Sequence, residues 1–521
     1  MLSVCNWYFV RLCFFIACSN FGIRHAVGLR YHSNVEIEGI LKNFTMETQR
    51  FPLRSKIYSI GQTLDQNELW VVEITASKKR ALGVPNIKFI GNIHGNEAVG
   101  REILLQFLYL LRDGYLNKDP TITWLLNNTK IHIMPTMNPD GYNRSVLDCT
   151  DDRWRTNGRG LVDLNRSFPD YYHRNNVPQQ LETEAVMKWM DETPFILSAA
   201  LHGGAMVANY PFDTVKETKW QKFLRQASVL NDTKLINHLR ERYIESIPSK
   251  DTVPSVTPDH DVFVHLAKVY SNNHKTMHLG LGCDYSPAFD GGITNGAEWY
   301  AVAGGMQDYN YFRHGCMEVT LEISCCKYPA EKYLPDLWDE NKSALVKYSL
   351  EALNGVTGRI LDKFTKKPIG NAVLKISERD ITFRSRNHTG EYWRLLLPGK
   401  YTLEVQADGY YKNDVNFTIK APLKFPKLHI QHVYLTNSSY LTTTTSTTTE
   451  KISIPEETSF FFYTHGASPL PVLQSRFMAD EPEESYESYK GGDASKTPNF
   501  CLCYLVFVSL FILGYQINYL I

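Results

Sequence analysis

The sequence predicts an α/β fold, a mixed sheet with helices on both faces, followed by a small all-β sandwich. Two observations carry this. Up to about residue 354, short apolar runs of strand length interleave with helical patterns, as in a sheet layered by helices: Leu69 to Ile74, Ile87 to Ile93, Ile131 to Pro135 and Phe195 to Leu201. From Gly355 to Leu435 the texture becomes short alternating segments, such as Ala372 to Ile376 and Lys400 to Val405. Turns at Pro368-Ile369-Gly370, Pro398-Gly399 and Asp408-Gly409 separate them, which is the pattern of a sandwich.

At 521 residues the chain exceeds one ordinary core, so two folded domains with extensions are expected. Its 43% hydrophobic content is globular, and a net charge of zero gives no electrostatic case for nucleic acid. Residues 1–26 read as a secretory signal, with a short apolar core before Ser19 and Gly22. Removing Cys5, Cys13 and Cys18 with it, and Cys501 and Cys503 with the far end, leaves Cys149, Cys283, Cys316, Cys325 and Cys326. In an oxidising compartment disulfides form among these five, and the odd count leaves one thiol over; the pairing is open. Sequons at Asn43, Asn127, Asn231, Asn341, Asn387, Asn416 and Asn437 fit that compartment. Asn143 and Asn165 also match the pattern, although Asn165 belongs to the candidate site.

The catalytic part is expected over 27–354. It opens with a helical pattern over Val35 to Phe44 and includes a charged, Pro-flanked excursion at 215–250, read as a solvated helix. The sandwich follows at 355–435. Residues 436–498 begin as a Thr/Ser tract and continue Glu-, Ser-, Pro- and Tyr-rich, the composition of a glycosylated, unfolded stalk. Residues 499–521 are apolar without Lys or Arg, and Gly491-Gly492-Asp493-Ala494-Ser495 lies upstream. That layout reads as a glycosylphosphatidylinositol attachment signal, the alternative being a single C-terminal membrane helix.

The chemistry centres on His94-Gly95-Asn96-Glu97, between the apolar run ending at Ile93 and a helical pattern of Val99, Ile103, Leu104, Phe107, Leu108 and Leu111. Ligand sites of open α/β sheets gather at the carboxyl ends of strands, and an imidazole and a carboxylate across such a turn can face one point. His202 ends a second apolar run and is followed by Gly203 and Gly204, which places it at the same rim. Two His and one Glu make a catalytic zinc set. In Met317 to Ser324, the period of two places Glu318, Thr320 and Glu322 on one face. Burying Glu322 there is costly unless it meets a cation.

These segments together resemble the metallocarboxypeptidases. The residues that carry the resemblance are His94-x-x-Glu97, Asp163-Leu164-Asn165-Arg166, Leu201-His202-Gly203-Gly204 through Tyr210-Pro211-Phe212-Asp213, Gly304-Gly305-Met306-Gln307-Asp308-Tyr309, and Glu322-Ile323-Ser324. More narrowly the chain is similar to the regulatory N/E subfamily, over roughly Arg30 to Pro422. The resemblance implies a mixed, eight-stranded sheet, a transthyretin-like sandwich and one Zn²⁺ per chain on His94, Glu97 and His202. It makes Glu322 the general base and Arg155 the oxyanion partner, with Arg159 an alternative because this segment carries one extra residue. Asn165 and Arg166 would clamp the substrate's terminal carboxylate, and Tyr300 would close over it, with Tyr311 a competing candidate. Asp213 and Gln307 would select a terminal Lys or Arg. The implied protein is an extracellular, membrane-tethered zinc carboxypeptidase acting on peptides and proteins with basic C-termini, without nucleic acid. The rival is an adhesion protein that keeps the fold without catalysis, but such members lose a zinc ligand or the base, and all four are present here.

Overall fold

The structure, a computed structural model, describes residues 27–77, 83–158, 161–216, 253–422 and 424–439. The expected signal segment, Arg159, nearly all of the 215–250 excursion and of the stalk, Asn231 and the apolar tail lie outside them. Among the described residues no helix is long and apolar enough to cross a membrane.

The larger sheet consists of β1 (Arg54–Gln62), β2 (Glu68–Thr75), β3 (Asn86–Gly91), β4 (Lys130–Met134), β5 (Phe195–His202), β6 (Ala205–Tyr210), β7 (Ile293–Asn295) and β8 (Met317–Ser324). Its order is β1-β2-β4-β3-β5-β8-β6-β7. The central strands β4, β3, β5 and β8 run parallel, while β2 on one side and β6 on the other pair antiparallel with them. Every residue of β3, β5 and β8 is buried, because helices cover both faces. β3 stops at Gly91, two residues short of the apolar run, because Asn92 adopts φ 58 and turns the chain.

The longer helices among the described residues are α1 (Asn34–Thr48), α2 (Val99–Leu116), α3 (Pro120–Asn128), α4 (Leu181–Glu192), α5 (His260–Asn273), α6 (Met306–His314) and α7 (Leu334–Leu350). A capping box between Ser33 and Glu36 starts α1, and Asp119 with Pro120 starts α3. In α2 the spacing of Ile103, Leu104, Phe107, Leu108 and Leu111 makes an apolar stripe. All five are buried in the main core, each stabilising the fold by about 1.5–3 kcal/mol. Helices α1, α2, α3, α5 and α7 share that core on one face of the sheet; α4 packs into a second core on the other, and α6 contributes Met306 and Tyr309 to that second core and Tyr311 to the main one. The face under α6 carries the polar residues of β8.

Beyond Gly355 two small sheets stack around Val356, Leu374, Tyr392, Leu403, Val405 and Phe417. One contains β10 (Val373–Ile376), β11 (Thr382–Arg384), β13 (Gly399–Gln406) and β14 (Asn413–Ile419). The other contains β9 (Gly355–Asp362), β12 (Glu391–Leu395), β15 (His429–Ile430) and β16 (Val433–Leu435), the last two both pairing with β9. The fold is therefore the mixed α/β sheet with an all-β sandwich that the sequence predicts.

The cysteines pair as Cys149 with Cys326 and Cys283 with Cys325, leaving Cys316 buried as the surplus thiol. One sequon is corrected. Asn341 is fully buried in α7 and its Oδ1 accepts from the Tyr270 hydroxyl at 2.5 Å, so the folded chain offers no room for a sugar there.

Candidate active site

The end of β3 and the start of α2 hold His94 and Glu97 on a tight turn that the Asn92 side chain braces. Its amide donates to the carbonyls of His94, Gly95 and Glu97. His202 ends β5, where Gly204 at φ 115 lets the chain reverse into β6. Glu322 is the register partner of His202 across β5 and β8.

His94, Glu97 and His202 form the one group among the described residues that can hold a metal ion, with ligand atoms within 4.8 Å of one another. Nδ1 of His94 lies 2.9 Å from Oε1 of Glu97, and Nδ1 of His202 lies 2.9 Å from Oε2. Yet Glu97 Oε2 has no hydrogen-bond partner, so its approach to His202 is close without bonding geometry. Two ring nitrogens converging on one buried carboxylate is the arrangement of lone pairs aimed at a shared cation, and the N/O donor set suits zinc. The other nitrogen of His94 meets the Asp163 carboxylate at 3.2 Å, the usual support for a metal-binding imidazole.

The electrostatics agree. Burial pushes the Glu97 carboxyl up, but His94 and His202 outweigh it and hold the group well below the usual carboxylate range. Burial lowers His202, the direction that favours the neutral ring a metal needs as a lone-pair donor. Burial first, and the Glu97 charge second, raise Glu322 well above the ordinary range. Oε2 of Glu322 is buried without a partner. A buried polar atom left unpaired costs about 1–3 kcal/mol, which a substrate or cation can relieve.

A cleft joins His94 and His202 to Asn165, Arg166, Asn209, Asp213, Gly296, Tyr300, Thr320 and Glu322. Asn165 Oδ1 accepts from the Met306 amide at 2.9 Å, which fixes the side-chain amide and leaves its NH₂ as a donor. Tyr300 is 43% exposed at the rim. Tyr311, by contrast, is fully buried in α6 with its hydroxyl on Asp259, so the structure removes it as a closing tyrosine. Arg155 stands beside the metal group, with Nε 2.8 Å from Asp163 and Nη1 3.6 Å from Glu97. Its competitor Arg159 lies outside the described residues.

Asp213 is 5% exposed at the closed end. Its Oδ1 receives Gln307 Nε2 at 2.8 Å and Asn209 Nδ2 at 3.0 Å, and Gln307 Oε1 in turn accepts from the Thr320 amide and hydroxyl. Among the described residues no donor reaches Oδ2. Burial raises its carboxyl to about 6. A Cβ on Gly296 would stand 1.7 Å from Asp213 Oδ1, so only glycine leaves this wall open. The amides of Asp213 and Thr214 donate to Asp308, a second buried carboxylate.

Sequence reasoning brought the metal group, Asn165, Arg166, Asp213, Gln307, Tyr300 and Glu322 to this region. It gave no role to Asp163, Asn209 and Asp308. Asp163 and Asp308 lie inside the quoted motifs, which was the available signal; Asn209 carried none beyond its place four residues before Asp213.

The zinc carboxypeptidase family profile matches residues 41–344. Carboxypeptidase M of Mus musculus is 40% identical over 389 residues, covering 74% of this chain and 80% of that protein. The carboxypeptidase N catalytic chain of Homo sapiens is 38% identical, over 70% of this chain and 78% of that one. Carboxypeptidase D of Homo sapiens is 38% identical over 75% of this chain, which spans 26% of that longer protein. Among solved structures, bovine thrombin-activatable fibrinolysis inhibitor bound to tick carboxypeptidase inhibitor aligns with a TM-score of 0.45 and 18% identity, over 62% of this chain and 98% of that one.

Proposed function

The chain belongs to the zinc carboxypeptidase family and is a metallocarboxypeptidase, and from that premise we propose that it removes C-terminal Lys and Arg from peptides and proteins. The observation that carries this specificity is Asp213, a buried carboxylate at the closed end of the cleft whose Oδ2 receives no donor among the described residues. A buried anion selects a cationic side chain by charge, and a neutral one leaves it unpaired.

His94, Glu97 and His202 would hold one zinc ion, which when bound would supply Lewis-acid polarisation of the scissile carbonyl and of water. The chain's residues do the rest. Asn165 and the Arg166 guanidinium grip the terminal carboxylate, making the enzyme an exopeptidase. Tyr300, exposed at the rim, closes over that end. Arg155 faces the developing oxyanion, its charge secured by Asp163 and Glu97. Glu322, with an unpaired oxygen and a raised carboxyl, takes the proton of the attacking water and passes it to the leaving amine.

The domain plan belongs to the same proposal: a catalytic domain over 27–354, a sandwich over 355–435, a stalk, and a tail that tethers the enzyme to the outer face of a membrane. The apolar composition of 499–521 supports the tether. One assay tests the core of the reading. Release of Arg from a short peptide, abolished by a chelator and restored by zinc, is expected; equal release of C-terminal Phe overturns the basic specificity. Release from cells by a phosphatidylinositol-specific phospholipase, with activity retained, tests the anchor.

A further inference from the structure

The sandwich reaches under the specificity pocket through one buried carboxylate. Asp259, immediately before α5, is fully buried. Two donors and a further cation surround it. From the sandwich, Arg394 of β12 bonds Oδ2, and Nη1 of Arg379 lies 2.9 Å from Oδ1 as an ion pair without hydrogen-bond geometry. From the catalytic side, the Tyr311 hydroxyl donates to Oδ2 at 2.8 Å. Arg394 is 2% exposed, and its guanidinium also lies 5.7 Å from the Tyr311 ring centre. Arg379 is held a second time by a bidentate pair to Asp261, at 2.6 and 2.9 Å.

Tyr311 is the receiving end of this lever. It lies one turn along α6 from Gln307 and Asp308, the two residues that hold Asp213 and its loop. Its ring also packs against Phe212, with centroids 5.6 Å apart, and Phe212 is the residue before Asp213. Asp213 is thus positioned from both sides by neighbours of one tyrosine, whose hydroxyl is fixed, among the described residues, by a carboxylate that the sandwich arginines neutralise. Burying Asp259 without those cations is unfavourable, so the contact persists only while the sandwich is docked.

We propose that Arg394, with Arg379, is a positioning residue for the basic-side-chain pocket, acting through Asp259 and Tyr311 on Asp213. This makes the sandwich a determinant of substrate affinity at a site it never touches. It rests on the reading that Asp213 receives a Lys or Arg side chain.

The test uses the full chain, a peptide ending in Arg, and free arginine as a pocket probe. Tyr311→Phe removes one hydroxyl and Arg394→Met one charge. Both are expected to raise KM and the inhibition constant of arginine by roughly three- to tenfold, the size of coupling carried through packed side chains. Neither should change kcat more than about twofold or alter zinc content, because the metal group and Glu322 are untouched. Arg394→Lys should recover at least part of the loss, since it restores the charge without the planar fork. Unchanged KM and arginine inhibition in Tyr311→Phe overturns the proposal, even if Arg394→Met fails to fold. A fall in kcat and zinc content at constant KM also overturns it, because that is a general structural loss. If the unmodified chain does not prefer Arg, the failure lies in the specificity reading and appears before any variant is made.

Discussion

Glu318 and Glu322 stand four residues apart on the same face of β8, both buried, and they differ in whether a cation of the chain meets them. Oε2 of Glu318 is met by Lys88 at 2.9 Å, by the Ser198 hydroxyl and by Asn310 at 2.6 Å, on β3, β5 and α6, while its Oε1 has no hydrogen-bond partner. Lys88, Ser198 and Glu318 are fully buried, and Lys88 also bonds Ser198. Glu322, at the rim end of the strand, has no such set, and its Oε2 is left unpaired. The lesson is that burial alone does not distinguish scaffold from machinery. On this strand the carboxylate paired with a buried lysine ties three elements together, and the one at the rim, which meets no cation of the described residues within ion-pair distance, faces the metal group.

The largest effect should come from exchanging these two residues' chemistry in turn. Glu322→Gln is expected to lower kcat by about 10²- to 10⁴-fold, the range for loss of a general base, while zinc content and melting temperature stay near those of the unmodified chain. Glu318→Gln should do the reverse. It leaves Lys88 charged and unpaired in the core, costing about 3–5 kcal/mol of stability, while the fraction that folds keeps its kcat. Activity measured beside thermal unfolding separates the two patterns. If Glu322→Gln retains full activity, or if Glu318→Gln loses activity without losing stability, the comparison is wrong.

A second experiment sharpens it. Replacing both members of the buried pair, Lys88→Met with Glu318→Leu, removes the charges together and leaves no orphan ion. The expected stability lies between unchanged and about 1–4 kcal/mol higher, because the desolvation cost of a buried pair often exceeds its attraction. A loss as large as that of Glu318→Gln alone would mean that Ser198 and Asn310, stranded without their partner, dominate the cluster.

Much of this site was readable in the chain because His94, Glu97 and His202 each follow an apolar run, so strand ends locate them before any contact is known. Glu318 and Glu322 were not separable in that way. The period of two places both on one face, and only Lys88, from a strand more than two hundred positions earlier, tells them apart. The same limit applies to Tyr300 and Tyr311: one lies at the rim and the other under the pocket, a difference set by the direction of α6. Strand β1 went unnamed because it is an edge strand with intermediate burial, which weakens its alternation. Asn341 matched a sequon, but local sequence does not report that α7 buries it. Disulfide pairing was open for the same reason: Cys149 and Cys326 are 177 positions apart, joined only by the folded sheet.

The smallest expected effect concerns Asp213, a third buried carboxylate that falls between the two on β8. Gln307 and Asn209 answer one oxygen and, among the described residues, leave the other for the basic side chain proposed above, and burial raises its carboxyl to about 6. The unfolded chain releases this proton near the ordinary carboxylate value of about 4. Because the folded state holds the proton more tightly, ionised Asp213 costs stability above about pH 6, by at most about 3 kcal/mol, and the cost disappears as pH falls from about 6 to about 4. Binding runs the other way, since only the ionised form attracts Lys or Arg. Lowering the pH from 7 to 5 should therefore raise KM for an Arg-ending peptide about tenfold, and free arginine should weaken as an inhibitor in parallel. Asp213→Asn should flatten that pH dependence, bind Arg poorly throughout, and melt at higher temperature than the unmodified chain at pH 7.5 but not at pH 4. A variant that melts lower at both pH values would show that Asp213 is answered by the protein, like Glu318. One that melts higher only at neutral pH would place it with Glu322, as a group whose ionisation the fold tolerates for the sake of what it binds.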